Sequence, residues 1–277
     1  MLPLYLMQYI EVTINNVEED MQDILVAQLS EIGYEGFVQA ADSMQAYIDE
    51  TTFNEDDLQS ITNAYTYTLN VIPKQNWNAV WEGNFEPVTV EDFCTIRADF
   101  HNIDVTTQYD IIITPKMSFG TGHHATTQLV MLKMKDIDFK GKKVFDFGTG
   151  TGVLAILAEM LGAASVLGID NDEWSVENAI ENLGRNNCSK VVVEQNNTDT
   201  LPEGSFDVVL ANINRHILLQ YMPQLYSHTT IGGTVLMSGL LISDKEIIEE
   251  AATAAGLELF DYQELNNWIV LAFKRNS

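Results

Sequence analysis

The sequence predicts an α/β chain: a mostly parallel sheet covered by helices, preceded by a small α+β module. Three observations carry this. From about residue 119, strand-like apolar runs alternate with segments of helical spacing. A glycine-rich turn at 146–152 joins one such strand to one such helix. The last two strand-like runs lie too close together for a helical crossover, so they form an antiparallel hairpin. With 277 residues the chain can bury one α/β domain and a smaller one, and 46% hydrophobic with 19% charged residues is ordinary globular composition.

The elements follow in order. Residues 8–14 alternate as a strand, and 18–32 carry Met21, Ile24, Leu25, Gln28, Leu29 and Ile32 at helical spacing, ended by Gly33. Extended stretches follow near 35–40 and 44–49. A helix is expected near 55–63, with Glu55, Asp56 and Asp57 in the first turn, where the helix dipole favours acids. A strand closes the module at 65–72. The order β-α-β-β-α-β is ferredoxin-like, a fold shared by many functions. Pro73 marks the exit. A connecting region at 74–118 holds Trp77, Trp81, Phe85 and Pro87, with strands near 93–97 and 109–113.

Beyond it, strands are expected at 143–147, 165–169, 190–194, 206–211, 233–238, 257–263 and 267–273. Helices are expected at 124–135, 151–161, 172–184, 214–228 and 243–255. Three domain assignments result: 1–73, a linker at 74–118, and 119–277. No repeat or low-complexity segment interrupts them.

Composition removes several classes. Cys94 and Cys188 are isolated thiols, neither a disulfide framework nor a metal cluster, so a reducing cytoplasm is the default. The apolar start has no basic flank or cleavage site of a signal peptide, and no run reaches the roughly 20 residues of a membrane span. The net charge is −26. The first 75 residues hold thirteen acids against one base, Lys74. Such a surface repels nucleic-acid phosphates and attracts cationic partners over ~8 Å at physiological salt. Solubility alone also accounts for it; a docking surface for a basic protein is the sharper reading.

Strand 143–147 runs into Gly148-Thr149-Gly150-Thr151-Gly152, and Val153, Ile156, Leu157 and Met160 then mark a helix. Glycines let backbone approach a ligand, and a helix start offers free N–H groups. The register is G-x-G-x-G, not the dinucleotide G-x-G-x-x-G. Asp146, two residues before Gly148, suits a cationic ligand better than a pyrophosphate. S-adenosylmethionine carries a sulfonium and an ammonium group, and is the expected cofactor. Asp170 ends the second strand 22 residues after Gly148, where an acid bonds ribose hydroxyls. The fourth strand ends in Ala211-Asn212-Ile213-Asn214; Asn212 can point its carbonyl at an amine and orient its lone pair, or be a turn residue.

Upstream, Met117 to Thr127 (MSFGTGHHATT) form a shaped loop leading into a helix. It reads as a flap over the cofactor that includes Phe119. His123 and His124 lack the further ligands of a metal site, so no metal is expected.

Together, FGTGHHATT at 119–127, Asp146–Ile156, Gly168-Ile169-Asp170, Ala211-Asn212-Ile213, Gly232-Gly233 and Ser238-Gly239 resemble the ribosomal-protein methyltransferase family PrmA. The loop is the specific part, and Trp77, Trp81, Phe85 and Pro87 also fit. The resemblance implies a Rossmann-like class I methyltransferase domain with a mostly parallel seven-stranded sheet, behind a ferredoxin-like substrate-recognition domain. It implies cofactor contacts at Thr127, Gly148, Asp170 and Asn212, beside the candidates Asp146, Gly150 and Phe119. It implies repeated N-methylation of lysine side chains and the N-terminal amine of large-subunit protein eleven. Apart from the resemblance, a monomer in the cytoplasm is expected.

Departures are Ala125 where the family often has Pro, Asn267 before Trp268 in place of an acid, and Glu82 in place of Lys. Met7 matches the family's usual start. A methyltransferase of RNA, DNA or a small molecule is the alternative, but Asn212 is followed by Ile213-Asn214-Arg215, with no stacking aromatic for a flipped base. A non-catalytic cofactor-binding adaptor is a third.

Overall fold

The computed structural model describes residues 9–34, 36–40, 42–72, 85–114, 116, 118–198 and 200–277. Met7, Pro73, Lys74, Trp77, Trp81, Glu82 and Met117 lie outside the described residues. The chain divides into two compact units, Met1–Asn84 and Phe85–Ser277.

In the first unit, β1 (Tyr9–Asn15), α1 (Glu19–Glu31), β2 (Gly36–Gln39), β3 (Ser43–Asp49), α2 (Glu55–Thr62) and β4 (Thr66–Ile72) form an antiparallel sheet of order β2-β3-β1-β4. Strand alternation turns Ile10, Val12 and Ile14 to one face, where Met44, Ala46 and Ile48 lie opposite them. Leu25, Leu29 and Leu58 from the helices complete that core. The Asn54 side chain caps α2 by accepting the Asp56 N–H at 2.9 Å.

The second unit opens with a three-stranded sheet, β5 (Val88–Val90), β6 (Cys94–Arg97) and β7 (Tyr109–Ile112), in which β6 and β7 run parallel. The three-residue β5 is too short for an alternation signal, and the sequence reading did not include it. Then follow α3 (Ala125–Lys135), β8 (Lys143–Phe147), α4 (Val153–Met160), β9 (Ser165–Asp170), α5 (Glu173–Arg185), β10 (Val191–Gln195), β11 (Phe206–Asn212), α6 (Arg215–His228), β12 (Thr229–Leu241), α7 (Lys245–Ala255), β13 (Leu257–Leu265) and β14 (Trp268–Arg275).

The large sheet has the order β10-β9-β8-β11-β12-β14-β13. Strands β8 to β12 are parallel, and β13 and β14 are the antiparallel hairpin that their spacing requires. Two apolar layers cover it, one with Leu129, Val144, Ile156 and Leu157, the other with Phe145, Val209, Leu218 and Leu225. Among the described residues no helix is long and apolar enough to cross a membrane.

Strand β12 is longer than the expected 233–238. It starts at Thr229, directly off α6, and pairs Thr229 with Phe206 before the register shifts. Gly232 and Gly233 absorb the shift; a Cβ on Gly233 would meet the carbonyl oxygens of Thr230 and Asp207 at 2.8 and 3.0 Å. Glycines read as a turn in the sequence because they lack the side chains that mark a strand. The outer strand β13 has a bulge between Leu259 and Asp261. Its exposed Tyr262 and Phe260 rings lie 4.4 and 6.0 Å from the Lys245 and Lys274 ammonium groups.

Candidate active site

The order of the parallel strands reverses between β8 and β11, and there the carboxyl ends of the strands open a cleft. The glycine turn leaves β8 and is pinned from both sides. Gly148 and Thr149 donate to the Ile169 carbonyl, each at 2.9 Å. The Gly150 N–H donates to Asp170 Oδ2 at 2.9 Å, while Asp170 Oδ1 accepts the Asp172 N–H at 3.1 Å. Asp170 therefore shapes the turn as well as facing the cleft. Thr151 donates its N–H to Phe119 O at 2.9 Å and its hydroxyl to Gly120 O at 2.8 Å, which fixes the upstream loop over the turn.

Two of the glycines are required by space. Gly148 and Gly150 have φ of 77° and 54°. A Cβ would stand 2.3 Å from an Ile213 methyl at the first and 2.3 Å from the Phe119 carbonyl oxygen at the second. Both the backbone sign and the close approach exclude a side chain.

The cleft has a volume of about 620 Å³ and is lined by Phe119, His124, Gly148, Gly150, Asp170, Asn212 and Trp268, among others. That is within the range of small-molecule sites. Asn212, at the tip of β11, donates through Nδ2 to Thr127 Oγ1 at 3.4 Å; its buried Oδ1 has no hydrogen-bond partner. Thr127 is fully buried behind it, in the first turn of α3. His124 caps that helix: its Nδ1 accepts the Thr126 N–H at 3.3 Å. The His124 ring stands edge-on to Trp268, 4.5 Å between centres, and 5.4 Å from Phe119. His123 turns away, edge-on to Phe85 at 5.0 Å. Among the described residues, no three His, Cys, Asp or Glu side chains are grouped to hold a metal ion.

Asp146 lies beneath the turn rather than on the cleft wall. It is 1% exposed, accepts the Thr149 hydroxyl at 2.7 Å, and has one oxygen with no partner. Burial pushes its pKa up to about 7; the Thr149 hydroxyl opposes this and the charge of Asp170 adds to it. The folded protein thus holds this proton more tightly than the unfolded chain. The stability it brings is complete below the unfolded value of about 3.9 and is lost as pH rises through about 7.

Asp146→Asn keeps the acceptor for Thr149 and removes the titration. Melting temperatures of the variant and wild type should therefore diverge between about pH 4 and pH 7, with the variant at least as stable at about pH 8. Parallel profiles would show that Asp146 does not titrate in this range.

Several lining residues escaped the sequence reading: Asn171, Asn196, Thr198, His216 and Tyr221. Position was the usable signal, because Asn171 and Asn196 follow strands at the carboxyl edge. Nothing in their spacing singled out the other three.

A Rossmann-like sheet with this turn, a strand-end acid and a strand-end amide on one cleft defines a class, the S-adenosylmethionine-dependent methyltransferases. The profile of the family Ribosomal protein L11 methyltransferase (PrmA) matches residues 8–276. The chain is 39% identical to the ribosomal protein L11 methyltransferase of Phocaeicola vulgatus, over 96% of this chain and 99% of that one. It is 40% identical to that of Porphyromonas gingivalis, over 94% and 92%. The crystal structure of the ribosomal protein L11 methylase of Lactobacillus delbrueckii subsp. bulgaricus superposes with a TM-score of 0.63 at 32% identity, covering 70% of this chain and all of that one. The chain belongs to the ribosomal protein L11 methyltransferase (PrmA) family.

Proposed function

We propose that this protein transfers methyl groups from S-adenosylmethionine to lysine side chains and the N-terminal amine of ribosomal protein L11. The observation that carries the reading is the buried, unpartnered Oδ1 of Asn212 on the cleft, one strand away from the glycine turn. The residues present fit the cofactor. The two glycines leave backbone open to a ligand, and the Asp170 carboxylate suits ribose hydroxyls. Phe119 closes the rim, Thr127 orients Asn212 from behind, and Asp146 supports the turn from below.

Bound S-adenosylmethionine supplies an electrophilic methyl group on a sulfonium. The protein supplies alignment and the state of the amine. An ammonium has no lone pair; with a pKa ≈ 10.4, making it neutral at pH 7 costs about 4.6 kcal/mol. Apolar walls at Phe119, Ile213 and Trp268 lower that cost by disfavouring the charged form. Asn212 Oδ1 accepts an amine N–H and so turns the lone pair toward the methyl carbon. No side chain is assigned as general base; the proton passes to water.

The acid-dense first 75 residues favour a basic protein over a phosphate backbone, with no direct nucleic-acid binding. The enzyme acts as a monomer in the cytoplasm.

Incubation with methyl-labelled cofactor, purified L11 and ribosomal RNA tests this. Label is expected on L11 amines by mass spectrometry. Label in RNA, or in no macromolecule, would overturn the reading. If charge drives docking, kcat/KM for L11 should fall at least about tenfold between 50 and 500 mM salt while cofactor affinity holds. A salt-independent kcat/KM would remove the electrostatic part.

A further inference from the structure

Helix α5 carries Asn178 and Asn182, and its C-cap is Asn186, at four-residue spacing along one face. Asn186 bonds both ways with the backbone of Ile112: Oδ1 accepts its N–H at 2.9 Å and Nδ2 donates to its carbonyl at 2.6 Å. Asn178 donates to Thr114 O at 3.2 Å. Asn182 differs. Its Oδ1 accepts the Thr114 N–H at 2.7 Å, and its Nδ2 donates to Thr151 O at 2.9 Å. Thr114 precedes the Phe119 loop in the chain, and Thr151 belongs to the glycine turn. Thr151 is itself bonded to that loop at Phe119 and Gly120. Asn182 is fully buried and lies outside the cleft lining.

We propose that Asn182 is a positioning residue for methyl transfer, given that the cleft is the methyl-transfer site argued above. Its amide ties the glycine turn to the chain entering the Phe119 loop, and so holds the floor and the rim of the cleft in one geometry. The two ends of the bridge need an acceptor and a donor on one short planar group. An amide supplies both whatever the pH. An ionised aspartate loses the donor, and an apolar residue leaves the Thr114 N–H and the Thr151 carbonyl without these partners. The glycines at 148 and 150 have no room for adjustment, since Ile213 and Phe119 already occupy the space beside them. A small displacement of Thr151 is therefore passed to both walls of the cleft, where alignment governs rate.

The test measures S-adenosylhomocysteine binding by calorimetry, turnover and melting temperature on the full chain. Wild type, Asn182→Asp and Asn186→Asp are compared at about pH 6 and about pH 9. In Asn182→Asp the carboxyl still accepts from Thr114; protonated, its O–H can donate to Thr151 O, and ionised it cannot. Its affinity deficit against wild type should grow about tenfold or more from the lower pH to the higher, with turnover falling alongside. Asn186→Asp, which touches Ile112 alone of the two segments, should lose melting temperature and keep wild-type affinity. Equal deficits in the two variants would overturn the proposal.

If Asn182→Asp does not fold, Asn182→Ser, whose hydroxyl is too short to span both segments, is compared with Asn186→Ser. A larger loss of affinity in Asn182→Ser at a comparable loss of melting temperature is expected, and equal affinities would overturn the proposal. A wild type that binds no S-adenosylhomocysteine would bring down the functional reading and this proposal together. Binding by wild type with an unaltered Asn182→Asp would remove Asn182 alone.

Discussion

Asp170→Ala is expected to weaken S-adenosylhomocysteine binding by at least about a hundredfold, as measured by calorimetry. Two losses combine. The carboxylate faces the cleft at the end of β9, where it suits ribose hydroxyls. It also accepts the Gly150 N–H at 2.9 Å, and without it that donor has lost its fixed partner. Asp170→Asn separates the two roles, because its carbonyl still accepts from Gly150. It should fall between wild type and Ala, about tenfold weaker than wild type. An Ala variant that binds within about threefold of wild type would exclude Asp170 from the cofactor site.

Asn212→Ala is expected to lower kcat about a hundredfold on L11, the scale of a misaligned reacting pair. Its buried Oδ1 has no partner in the folded chain, so loss of the oxygen costs little stability, and loss of the long Nδ2 bond to Thr127 should lower the melting temperature by only about a few degrees. The effect on catalysis is specific to the carbonyl. Asn212→Asp keeps an oxygen in place but adds a charge that would hold the amine as ammonium, so it should be as slow near neutral pH. Retained kcat in Asn212→Ala at saturating substrate would end its assignment to the amine.

Much of this architecture was legible because it is periodic. Alternating runs predict the parallel strands and their helices, and the short gap before Trp268 predicts the hairpin. The turn at 148–152 was legible for a different reason. Glycine is forced where Ile213 and Phe119 crowd the backbone, and a forced residue leaves a mark in sequence. Features without such a mark were harder to find. Val88–Val90 is too brief to alternate, and the glycines of β12 conceal its first residues. Asp146 sits two residues before Gly148, yet its side chain points inward, because residues of a strand alternate between faces that sequence cannot label. Thr127 and Asn212 are 85 positions apart, and their contact depends on how α3 lies against the sheet. The bridge through Asn182 is equally hidden. A buried asparagine on a helix looks like any other until both ends of its amide have partners.

The outer edge of β13 raises a separate matter, that of keeping one molecule from adding to another. Nine residues of strand at the rim of a sheet are a template for a further strand from a second copy. The bulge between Leu259 and Asp261 interrupts that template, and the exposed Glu258 and Glu264 put negative charge along it. Two such edges repel each other, and a chain of net charge −26 does so over its whole surface. The acidity that would suit a basic substrate therefore also guards the sheet against aggregation.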